Sequence, residues 1–134
     1  MRTKQVRPEK TEYEFDLSIS RNKDEMNKKE YLLFDFKTVK VFENFKYRIN
    51  IEPKINLAKK EIEFNIEGLS APLISLSSNG YAGYQYKLYD FTNTEYLLKL
   101  IKQRKVKYPF SIKVTNKGIK VTKRSSKKFV NVLT

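Results

Sequence analysis

The chain contains no cysteine and no histidine among its 134 residues. Without cysteine there is no disulfide, no thiolate metal site and no cysteine nucleophile, and the redox compartment is left open. The missing histidine excludes more, because serine triads, zinc hydrolases and most proton shuttles rely on an imidazole that titrates near neutrality. No Gly-rich phosphate loop, zinc spacing or calcium loop is present, and the four glycines serve turns. A non-enzymatic protein with no cofactor and no metal is therefore expected. No apolar run approaches the ~18 residues that span a bilayer. The basic N-terminus, Met1-Arg2-Thr3-Lys4, is not followed by the apolar stretch of a secretory signal. The expected setting is cytoplasmic, or a particle assembled inside a cell.

Acidic residues are missing from one whole region. Residues 96–134 hold twelve basic side chains and no acid, whereas residues 1–95 hold sixteen basic and fifteen acidic ones. Twelve of the thirteen net charges thus fall in the last third of the chain. A block of one sign attracts polyanions and raises association rates. Of the 28 basic residues 22 are lysine, as an AT-rich genome would write any solvated surface. Genome bias supplies lysines, but it does not remove every acid from 39 consecutive residues.

The length suits one core without staples, so residues 1–134 are expected to form a single domain, with 1–10 and 123–128 as flexible basic segments. Alternation of apolar and polar residues runs through much of the chain, which is the period of half-buried strands. Tyr13, Phe15, Leu17 and Ile19 share one face, and Glu12, Glu14, Asp16 and Ser18 the other. Leu32, Phe34 and Phe36 begin a second strand whose apolar phase slips to Val39 and Val41, predicting a bulge or break near Thr38. Phe45, Tyr47, Ile49 and Ile51 form a third, which Pro53 ends or places at a sheet edge. Ile62, Phe64 and Ile66 follow, then a shorter candidate at 73–76, an Asn79-Gly80 hairpin turn, and a return through Tyr84, Tyr86 and Leu88. Phe110, Ile112 and Val114 pair with Ile119 and Val121 around Asn116-Lys117-Gly118, with glycine at the left-handed position. Residues 129–133 suit a short edge strand.

One stretch carries two periods. Thr92-Asn93-Thr94-Glu95 fits a capping box, Leu97, Leu98 and Ile101 fall on one helical face, and cations occupy the last turn. These features predict a helix over 93–105. The same residues also alternate as a strand, with Tyr96, Leu98 and Leu100 on one side. The fold expected is mainly β: an antiparallel sandwich or curved sheet of seven to eight strands, with one short helix at 93–105.

Three constellations are candidates for function. The first is the basic block: Lys102, Arg104, Lys105, Lys107, Lys113, Lys117, Lys120, Lys123, Arg124, Lys127 and Lys128. Each cation that neutralises a phosphate releases counterions. Only two of these are arginine, and bidentate reading of guanine edges relies on arginine, so the block predicts backbone attraction with little base specificity. The same surface suits an acidic protein or an anionic leaflet. The second is the tyrosine run 81–89. Tyr84 and Tyr86 share a face with Leu88 and are assigned to the core, while Tyr81 and Tyr89 are left as stacking groups for single-stranded bases. The third, Asp35 with Glu52-Pro53-Lys54, has the outline of a metal-dependent nuclease, but Glu-x-Lys is frequent by chance in so charged a chain. The function expected is low-specificity nucleic-acid binding, extending to single strands. The alternative is an immunoglobulin-like sandwich serving as a structural or adaptor subunit on an acidic protein partner.

Overall fold

The computed structural model of the protein describes residues 13–26, 28–39, 48–70, 83–125 and 129–134. Nine strands lie among them: β1 (Phe15–Lys23), β2 (Glu30–Thr38), β3 (Arg48–Asn56), β4 (Glu61–Ser70), β5 (Gly83–Leu88), β6 (Glu95–Lys102), β7 (Val106–Thr115), β8 (Gly118–Lys123) and β9 (Val130–Leu133). They are ordered β8-β7-β6-β4-β3-β5-β2-β1-β9. Among the described residues the only bridge between β3 and β5 is Arg48 opposite Gly83. That seam divides the strands into a sheet of five, β8-β7-β6-β4-β3, and a sheet of four, β5-β2-β1-β9.

The two sheets pack face to face because the alternation read in the sequence gives each an apolar side. Phe64 of β4 meets Phe34 and Phe36 of β2 at ring-centroid distances of 5.2 and 5.1 Å, and Tyr86 of β5 at 5.6 Å. Phe129, just before β9, lies edge-on to Phe15 of β1 and stacks on Tyr108 of β7. Buried side chains from both sheets thus make one apolar core. The expected β-rich sandwich is the observed fold, although β1 pairs with β9 and β4 with β6 in parallel.

The helix expected over 93–105 is corrected: Glu95–Lys102 is strand β6, between β4 and β7. Tyr96, Leu98 and Leu100 are buried on its inner face. The Thr92 N–H donates to the Tyr96 hydroxyl at 2.9 Å, so the residue read as part of a helix cap instead serves a buried phenol. Helix propensity separates ordinary residues by only about 0.7 kcal/mol each. Two ladders and an alternating buried face outweigh it.

Other expectations are met locally. The break near Thr38 is the end of β2. Beyond Arg48, β3 has no described strand on the side away from β4, and Pro53 sits on that open edge, where a missing N–H costs no ladder bond. Candidates at 41–47, 73–76 and 79–80 lie outside the described residues. So do 1–10 and 126–128 of the segments expected to be flexible. Of the remainder, Lys123 closes β8, and the Arg124 guanidinium donates to the Val132 carbonyl at 3.0 Å.

Candidate anion-binding surface

The basic block is built on β6, β7 and β8 and the turns that join them. The β6–β7 turn is tight: the Lys105 N–H donates to the Lys102 carbonyl at 2.9 Å, with Gln103 and Arg104 at φ of 50° and 58°. Left-handed backbone costs a non-glycine residue roughly 1–2 kcal/mol, so something must hold this turn. Asn65, buried on β4, accepts the Arg104 N–H at 2.8 Å. The Arg104 guanidinium then reaches Glu52 at 2.9 Å and Glu67 at 3.1 Å.

Arg104 is therefore neutralised by β3 and β4. Lys102 is paired with Glu14 at 3.1 Å, and Lys99 with Glu61 at 3.6 Å. The separation of charge along the sequence is partly undone in space, because the acids of the first two thirds fold against the start of the basic block. A cleft of 390 Å3 at this end shows the mixture, with Glu52, Lys54, Glu63, Arg104 and Lys107 around Ile101. Two acids and three bases line it, so the cleft is of mixed sign.

Lys107 lines that cleft, yet like the rest of the described block it is left without an ion-pair partner. Lys105, Lys107, Lys113, Lys117, Lys120 and Lys123 are all exposed, and none is ion-paired to a described carboxylate. Five follow the β7–β8 hairpin, and Lys105 lies in the β6–β7 turn before it. Lys107 and Lys113 stand on the outer face of β7, and Lys120 lies directly opposite Lys113 on β8. Lys117 occupies the turn before Gly118, whose φ of 137° fits the left-handed position expected of it.

Lys123 reaches this face through an irregularity. Period-two alternation from Ile119 and Val121 would point Lys123 toward the core. The ladder instead shifts between Ser111 and Ile112, placing Val121 opposite Ile112 and Lys123 opposite Ser111, with Thr122 as the extra residue. A bulge of this kind re-aims the side chains beyond it. Thr122 Oγ1 lies 2.6 Å from a Glu95 carboxylate oxygen and 3.2 Å from the Ser111 carbonyl, fastening the bulge to β6 and β7. Sequence reading missed Thr122 and Glu95 as supports, although a lysine at a core-facing phase was a signal that the phase breaks.

The stacking candidates divide. Tyr81 lies outside the described residues, as do Lys127 and Lys128. Tyr89 follows β5 of the four-stranded sheet: its hydroxyl donates to Asp24 at 3.3 Å and its ring lies 5.4 Å from Tyr31. Partial burial and the Asp24 carboxylate raise its pKa. Tyr84 and Tyr86 pack against the core as assigned. The nuclease outline is not assembled: Asp35 on β2 stands opposite Gln85 of the four-stranded sheet, whereas Glu52 on β3 is tied to Arg104. Among the described residues no group of three potential metal ligands is brought together, and no helix is long and apolar enough to cross a membrane. Comparison with protein-family models, curated proteins and solved structures finds no match to this chain.

Proposed function

We propose that the protein is a non-enzymatic binding module that holds nucleic acid by its phosphate backbone, with low sequence specificity. The observation that carries this reading is the lysine strip of the β7–β8 hairpin and the turn before it, six exposed cations with no described ion-pair partner. Lysine is a point charge that neutralises phosphate without the planar fork that reads base edges. Fluorescence anisotropy with a labelled random oligonucleotide across a salt series tests it. The expected result is micromolar binding at low salt that falls steeply as salt rises and is lost in a Lys113→Gln, Lys120→Gln, Lys123→Gln variant. Absence of binding at low salt, or equal attraction to heparin, rejects it.

One observation favours the adaptor reading as the second choice. Strand β8 is the last strand of its sheet, and no described strand is hydrogen-bonded along its other edge. An open edge is a template for an added strand, and one beside lysines suits an acidic segment. Polyglutamate binding as tightly as the oligonucleotide at matched salt selects this alternative.

A further inference from the structure

The strip is not uniform along its length. Lys113, Lys117, Lys120 and Lys123 gather where β7 turns into β8, and Lys105 and Lys107 stand at the other end of β7. From Lys107 to Lys113 the strand advances six residues, about 20 Å at the usual rise. Both groups are carried on paired strands or the tight turns joining them, so their separation is fixed before any ligand arrives.

The outward positions between the two groups hold Pro109 and Ser111 on β7 and Leu97 and Lys99 on β6. None offers an aromatic face. Single strands are held largely by stacking successive bases on such faces, which offsets the entropy lost when a flexible chain is straightened. Tyr31 of β2 and Tyr89, just after β5, pair with each other on the four-stranded sheet. A single strand spanning both lysine groups would have to be ordered over about 20 Å with nothing to stack on.

A duplex meets the same geometry without that cost. It is stiff over about 150 base pairs, so a stretch of about 6 base pairs already spans the gap at 3.4 Å per pair. It also presents one phosphate charge per roughly 1.7 Å of axis, counting both strands. Resting on the polyanion reading above, we infer that the strip takes double-stranded rather than single-stranded nucleic acid, engaging the phosphate backbone at two points along one face.

The test measures the full-length protein by anisotropy with a labelled 20-base-pair duplex and with each of its strands, across one salt series. The duplex is expected to bind about tenfold more tightly than either strand at the same salt. Six contacted phosphates give a slope of log K against log salt near −5 for the duplex, from about −0.9 per contact. Lys107→Gln at one end and Lys113→Gln at the other are each expected to reduce that slope by about 1. Single strands binding as tightly as the duplex overturn the duplex assignment and leave the polyanion reading standing. A slope that responds to Lys113→Gln but not to Lys107→Gln overturns the two-point contact. Failure of all three oligonucleotides to bind at low salt overturns both readings at once.

Discussion

Lys113 and Lys120 are direct cross-strand partners on β7 and β8, both exposed and neither ion-paired to a described carboxylate. Glu95 stands opposite Lys113 on the other side, but its carboxylate is turned to Thr122. Like charges directly opposed weaken a sheet, so this pair works against the hairpin that carries it.

That opposition gives a prediction with two signs. Lys120→Glu is expected to stabilise the fold by about 0.2–1 kcal/mol, the usual range for a cross-strand charge pair, and to weaken oligonucleotide binding by tenfold or more. Urea unfolding and anisotropy on the same preparation check it. A variant that is both more stable and fully able to bind would show that binding does not run through Lys120.

Thr122 allows the bulge to be tested apart from the charge. Thr122→Val keeps the shape and removes the hydroxyl that reaches Glu95 and Ser111. Stability should fall by about 1 kcal/mol, the net worth of a typical hydrogen bond. Deleting Thr122 removes the extra residue itself, so plain alternation from Val121 keeps Lys123 opposite Ser111 on the outer face. Binding by the deletion variant should then match that of the natural chain, read by anisotropy beside a thermal melt, and weakening to the level of Lys123→Gln would show that the bulge itself is needed.

Much of this architecture was legible in the sequence because burial writes period two directly. Phe15, Leu17 and Ile19 of β1, and Ile62, Phe64 and Ile66 of β4, are the buried positions that alternation indicated. Stretch 95–102 was misread because its leucines satisfy both periods, and only its ladders to β4 and β7 decide between them. The partial neutralisation of the basic block was not legible. It depends on Lys102 meeting Glu14, 88 residues away, and on Arg104 meeting Glu52, 52 residues away. Local pattern carries no information at such separations. The lysine strip was legible as composition, but its outer-face membership at Lys123 required the register shift opposite Ser111.

The β6–β7 turn stores strain that substitution can release. Arg104→Gly should relieve about 1–2 kcal/mol of left-handed backbone cost while losing surface ion pairs to Glu52 and Glu67 worth about 0–1 kcal/mol each. The expected net change in unfolding free energy is near zero. Asn65→Leu should instead lower stability by about 1–3 kcal/mol, because it removes the acceptor of the Arg104 N–H on the buried side of the turn. If Arg104→Gly proves as damaging as Asn65→Leu in chemical denaturation, the guanidinium contacts hold the turn and the backbone does not.

Tyr84 supplies the pH dependence. Its phenol lies half-buried against Phe36 at a ring-centroid distance of 6.1 Å, and burial, with a smaller contribution from Tyr86, raises its pKa above 10.0. In the unfolded chain the phenol ionises first as pH climbs, so the unfolded state is favoured from about pH 10 upward. The stability linked to this group is whole below that pH and is lost as pH rises through the higher folded value. Tyr84→Phe removes the ionisation and keeps the ring contact. The difference in unfolding free energy between the natural chain and this variant should be constant from pH 7 to about pH 9.5, then move in favour of the variant above about pH 10. A constant difference across the whole range would mean that folding leaves the hydration of this phenol unchanged.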